Sequence, residues 1–177
     1  YAQLGAHTIE PMFRRGVLLD VAATHGVATL PGGYEITVDD LEETLARQGT
    51  QIERGDVVLV HSGWGRHFDA GDNATFIGRD TGVPGVSEAG ATWLADQAVH
   101  AVGADTIAFE RLAPGAGHGL LPAHRVLLVD AGIYIIETMA LTELAEAAVT
   151  EFAFVLLPLP LYGATGSPVR PIAVTDR

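Results

Sequence analysis

The sequence predicts an α/β domain built on a parallel or mixed sheet, and three observations carry that expectation. Short apolar, β-branched runs alternate along the chain with segments of helical period. Glycines punctuate the changes from one kind of segment to the other. With 177 residues, 48% of them hydrophobic, the chain can bury one compact core, because a domain of ~150 residues removes about two-thirds of its unfolded surface from water. A single domain spanning residues 1–177 is expected.

Taken in order, residues 16–22 (GVLLDVA) form an apolar run after Arg14 and Arg15 and before His25-Gly26, the pattern of a strand buried on both faces. Thr37 is a predicted helix N-cap: Asp40 three residues on gives a variant of the capping box, Leu41 and Leu45 share a face, and Gly49 is the expected stop. Residues 56–62 (DVVLVHS) read as a second buried strand. Residues 65–85, polar and without period, predict a long surface loop, a length more often functional than idle. Ser87 is expected to cap a helix running to about Val102, on the repeat of Ala91, Leu94, Ala95, Ala98 and Val102. Gly103 would stop it and residues 106–110 (TIAFE) resume a strand. After the Gly-rich stretch 114–119 (PGAGHG), residues 124–130 predict a short helix stopped by Gly132. A strand at 133–137, a helix at 142–149 and a strand at 152–159 complete the alternation.

Composition excludes several function classes. A net charge of -12 repels phosphate backbones and anionic headgroups, so neither nucleic acid nor a membrane surface is an expected partner. All ten basic residues are arginine, so the segment offers no Schiff-base lysine and no P-loop lysine. There is no cysteine, hence no disulfide framework, no thiolate nucleophile and no sulfur ligand, which fits a cytoplasmic location and limits any metal site to His, Asp and Glu. The longest apolar stretch, 152–162, is interrupted by Pro158 and Pro160 and is far shorter than the ~20 residues of a spanning helix. The three serines, Ser62, Ser87 and Ser167, sit in no G-x-S-x-G elbow, and no dinucleotide fingerprint follows a strand. The chain starts at Tyr1, and residues 1–15 do not read as a signal peptide; it is expected to be the larger, C-terminal part of a longer polypeptide.

His124 stands before an apolar helix and Glu137 ends the next strand, so the Gly132 turn is placed to bring both side chains to one rim of the sheet. Imidazole plus carboxylate suits Zn²⁺ or Mn²⁺, while a helix-start histidine and a hydrogen-bonded buried glutamate are the alternative on spacing alone. The surrounding text adds specificity. PAHRVLLVDAGIYIIE (122–137), RGVLLDVA (15–22), GDVVLVHSGW (55–64) and GATGSPVRPIAV (163–174) resemble blocks of the cyclase family of metal-dependent hydrolases, which includes bacterial kynurenine formamidase and isatin hydrolase. The resemblance implies a mixed or barrel-like β core with flanking helices, His124 and Glu137 as metal ligands with Glu137 also catalytic, and a Zn or Mn cofactor. It further implies hydrolysis of an amide, formamide or lactam C–N bond in a small aromatic substrate, in a homodimer or homotetramer. A metal-dependent cyclisation or dehydration and a non-catalytic scaffold role are the alternatives it leaves.

The family's His-x-x-Thr-His-x-Asp motif has no match here; His7-Thr8 in GAHTIEP lacks both the earlier histidine and the following aspartate. The motif is therefore expected upstream of Tyr1, or catalysis has been lost. Trp64, after a strand, is a candidate wall for an aromatic substrate, and His118, in the Gly-rich stretch, a candidate substrate contact. His61 and Arg66 flank Trp64 and suit either a carboxylate or an ordinary salt bridge. Ser167 is expected to shape a turn against Pro168.

Overall fold

The computed structural model describes residues 5–117 and 119–176. Strand β1 (Met12–Asp20) runs into a one-turn helix, α1 (Val21–Thr24), capped by the Asp20 carboxylate accepting from the Ala23 N–H. A short strand β2 (Glu35–Ile36) precedes α2 (Val38–Gln48). Here the expected capping box is complete: Thr37 Oγ1 accepts from the Asp40 N–H, and the Asp40 side chain accepts from the Thr37 N–H. Gly49 ends the helix. Strand β3 (Val57–His61) follows, then two short helices, α3 (Gly65–Asp69) and α4 (Asn73–Ile77), and strand β4 (Gly85–Val86).

Beyond β4 come α5 (Glu88–Asp96), capped by Ser87, and β5 (Ala101–Ala104). A single turn, α6 (Pro122–His124), widens into a π-type segment over Arg125–Asp130. Strand β6 (Tyr134–Ile136), helix α7 (Thr142–Glu146), strand β7 (Glu151–Leu156) and strand β8 (Ile172–Val174) complete the order.

Six strands make one mixed sheet in the order β6-β5-β3-β1-β7-β8. The β1–β3, β3–β5 and β5–β6 pairs are parallel, as crossovers through helices demand, and β7 and β8 add antiparallel on the far side. The sheet is open, with β6 and β8 at its edges, rather than closed into a barrel. β2 and β4 pair parallel in a separate two-stranded sheet.

Alternation along the strands splits the core into two layers. Val17, Leu19, Val58 and Val60 pack with residues of α1, α2 and α5 on one face, while Leu18, Val57 and Leu59 pack with Ile136, Met139 and Phe154 on the other. No helix of the described residues is long and apolar enough to cross a membrane.

Three expectations are corrected. Residues 65–85 are not a loop: α3 and α4 fold over a third apolar cluster of Trp64, Phe76, Val83, Ala108 and Leu112. Helices of five residues are too short to print a period in the sequence. The helix after Ser87 ends at Asp96, and Val102, which continues its period by coincidence, belongs to β5. Residues 106–110 are not a strand: β5 ends at Ala104, and Phe109 adopts a φ of 57°, which a regular strand does not accommodate. β8, a three-residue edge strand among prolines, gave no signal of its own.

Candidate functional site

Pro122 opens α6 at a position where its missing N–H costs nothing, and Leu121 before it offers no capping side chain. A residue remote in sequence takes that place. Glu110, 2% exposed, accepts from the Ala123 N–H through Oε2 at 3.2 Å and from the His124 N–H through Oε1 at 2.8 Å. The same Oε1 lies 2.7 Å from His124 Nδ1. On the opposite edge of the ring, His124 Nε2 is 3.3 Å from Glu137 Oε1. The imidazole is thus clasped between a buried carboxylate and a half-exposed one.

The hydrogen bond to Glu110, and then the one to Glu137, raise His124 from its ordinary value of 6.5 to about 9, against the opposing effect of burial. Because the folded value lies above the unfolded one, the charged ring stabilises the metal-free fold fully below pH 6.5, and that contribution disappears as pH rises through about 9. Urea unfolding of metal-free protein at pH 6 and pH 9.5 is therefore expected to differ by ~1–3 kcal/mol more in wild type than in His124→Gln. Equal differences in the two proteins would exclude this linkage.

Glu137 directly follows β6, and the next residue, Thr138, holds a φ of 56° while its N–H donates to the Thr106 carbonyl. His124 and Glu137 both line a cavity of about 650 Å³ whose other walls include Met12, Leu128, Tyr134 and Ser167. A second cavity of about 810 Å³ shares Glu137 and extends over Leu59, Phe152 and Arg170.

The structure thus brings His124 and Glu137 together across the Gly132 turn. Trp64, expected to wall the pocket, is 3% exposed, and its indole N–H donates to the Phe76 carbonyl at 3.1 Å within the third apolar cluster. It is not among the residues lining the His124–Glu137 cavity, whose aromatic wall is Tyr134. His118 lies outside the described residues. Arg66 pairs with Glu146 at the surface, whereas His61 is buried, with Nδ1 2.8 Å from Asp20 Oδ1. Ser167 Oγ accepts from the Leu159 N–H and donates to the Pro168 carbonyl, tying down the turn expected there.

Glu110, Asp20 and Asp105 escaped the sequence reading, though a signal for part of this set exists. Asp20 and His61 close β1 and β3, Asp105 follows β5 and Glu137 follows β6. Ionisable residues thus stand at the carboxyl ends of four adjacent parallel strands, the rim where open α/β sheets bind ligands.

The family model described as "Putative cyclase" matches residues 3–111. Cyclase-like protein 3 of Oryza sativa subsp. japonica is 35% identical over 96 residues, which cover 54% of this chain and 33% of that protein. Among solved structures, a novel cyclase is 35% identical with a TM-score of 0.83, over 97% of this chain and 56% of the other. Isatin hydrolase A from Ralstonia solanacearum is 26% identical with a TM-score of 0.73, over 94% and 62%. A potential metal-dependent hydrolase with cyclase activity is 25% identical with a TM-score of 0.61, over 97% and 68%. The chain therefore spans one third of the rice relative and just over half of the novel cyclase. His124 and Glu137 lie beyond the stretch that the family model matches.

Proposed function

The chain belongs to the cyclase family, and on that premise we propose that it contributes part of a divalent-metal centre to a hydrolase cleaving an amide, formamide or lactam C–N bond of a small aromatic substrate. The observation that carries this reading is the placement of His124 Nε2 and Glu137 Oε1 3.3 Å apart on the wall of one cavity. The donor set fits in part. One imidazole and one carboxylate in a chain without cysteine suit Zn²⁺ or Mn²⁺. Among the described residues no group of three or more His, Asp or Glu side chains is gathered to hold an ion, so this pair is half a site and needs further donors.

When bound, such a cation supplies Lewis-acid activation of water and of the substrate carbonyl. The chain's own residues do the rest. His124 gives up its extra proton to offer Nε2, so binding of the cation releases protons. Glu137 brings a carboxylate to the centre and, on the cavity wall beside the reacting bond, is the residue we propose to act in catalysis. Met12, Leu128 and Tyr134 give the cavity an apolar wall against which a flat ring can lie, with the reacting bond toward His124 and Glu137.

The test is turnover of an N-formyl-aniline and of an oxindole lactam by protein stripped of metal and then supplied with Zn²⁺ or Mn²⁺. Activity restored by either cation and lost again to a chelator is expected; hydrolysis that needs no cation would overturn the reading. Analysis of the product separates hydrolysis from the cyclisation suggested by the family's name.

A further inference from the structure

Glu110 touches only one side of His124, yet it decides what the other side can do. Its contacts at the start of α6 are to the Ala123 and His124 backbone N–H groups and to the Nδ1 edge of the His124 ring. A backbone amide is always a donor, so these two amides fix the carboxylate in place with lone pairs toward the ring. A carboxylate oxygen 2.7 Å from Nδ1 is satisfied when Nδ1 carries a proton. The neutral ring then has its lone pair on Nε2, the edge that faces Glu137.

The backbone beneath Glu110 is held in a way a helix cap alone does not require. Phe109 is fully buried and sits at a φ of 57°, a conformation that persists in a bulky residue only when its surroundings over-determine it. The Val86 N–H donates to the Phe109 carbonyl and the Arg111 N–H donates to the Val86 carbonyl, so β4 grips the chain on both sides of Glu110. Gly85 makes this approach possible, since a Cβ there would lie 2.2 Å from the Glu110 carbonyl carbon.

We propose that Glu110 is a positioning residue that holds His124 in its Nδ1-protonated ring form and so presents the Nε2 lone pair on the Glu137 side. The proposal rests on the reading above only in taking a cation as the recipient of that lone pair. Outer-shell carboxylates that orient a ligating histidine typically change metal affinity about 10–100-fold when replaced.

The experiment is ring ¹⁵N NMR of His124 in the full chain, metal-free in alkaline solution, together with titration by Zn²⁺ alone, for wild type and Glu110→Gln. Whichever way its amide turns, a glutamine sets an N–H₂ against one of the backbone N–H groups from which the carboxylate accepts, so the side chain loses its fixed position and the ring its single form. Wild type is expected to show one form, protonated at Nδ1. The variant is expected to show a mixture and to bind Zn²⁺ about 10–100-fold more weakly, with an unchanged circular dichroism spectrum. A wild-type ring protonated at Nε2 overturns the proposal without any variant, and so decides the matter if Glu110→Gln fails to fold. A folded variant with the wild-type ring form and affinity reduces Glu110 to a helix cap and also overturns it. If wild type binds no Zn²⁺, the His124–Glu137 pair does not hold a cation without the further donors it needs, and the ring form alone then decides on Glu110.

Discussion

His124→Ala is expected to lose its divalent metal on dialysis and to bring turnover to background. Among the described residues, His124 is one of the two donors offered to the proposed centre. Removing a ligand costs more than disturbing an outer-shell partner, so affinity should fall by more than ~100-fold. Glu137→Gln keeps the volume and one acceptor oxygen but removes the charge, and a smaller loss, about 10–100-fold, is expected. Neither change should unfold the protein. His124 and Glu137 are both partly exposed, and Glu110 retains its two backbone donors when the imidazole is gone. The measurement is elemental analysis of dialysed wild type and variants, with thermal unfolding as a control on folding. A His124→Ala protein that keeps both metal and rate would show that the cation is held elsewhere.

Local chemistry made part of this arrangement readable. The capping box at Thr37 and Asp40 and the Gly49 stop fix both ends of α2 within a few residues of sequence, which is why that helix is predicted correctly. β3 is an apolar β-branched run between Gly55 and Gly63, and β6 an aromatic and β-branched run that starts just after Gly132. β5 is written AVGA, without a branched or aromatic majority, so the helical period of α5 ran on through it. TIAFE has strand propensity, but the fold needs a left-handed residue at Phe109, and tertiary contacts override propensity.

The site follows the same division. His124 and Glu137 flank one glycine turn, so their encounter is a local event that the sequence and the family resemblance both indicate. Glu110 reaches His124 across a Gly-rich stretch whose path no propensity encodes. Trp64 looks like a pocket wall in sequence because part of its cover, Phe76 and Val83, comes from residues 65–85, which carry no period. A tryptophan after a strand is legible as aromatic surface; whether that surface is dry or open depends on packing partners remote from it.

The largest stability loss is expected from Asp105→Ala, at the turn that joins β5 to the site. Asp105 is 1% exposed. Its Oδ1 accepts from the Ser62 N–H at 3.0 Å and the Ser62 hydroxyl at 2.7 Å, and its Oδ2 accepts from the Gly65 N–H at 3.2 Å. Alanine would leave these buried donors facing a void, and each unsatisfied group costs roughly 1–3 kcal/mol, so a loss of ~3–5 kcal/mol is expected. Ser62→Ala removes one of these bonds, together with the one that Ser62 Oγ accepts from the Trp64 N–H at 3.2 Å, but leaves the carboxylate its backbone partners, so a smaller loss of about 1–3 kcal/mol is expected there. The consequence reaches the site through neighbouring backbone. The Thr138 N–H donates to the Thr106 carbonyl and the Met139 N–H to the Ala104 carbonyl, so the residues on either side of Asp105 hold the chain that leaves Glu137. Asp105→Ala should therefore weaken Zn²⁺ binding although it touches neither His124 nor Glu137. Urea denaturation gives the first quantity as a lower midpoint at unchanged slope, and zinc titration of the folded variant gives the second. A change within ~1 kcal/mol of wild type would mean that the turn finds other acceptors; a large destabilisation with full zinc affinity would mean that Glu137 is held by β6 alone.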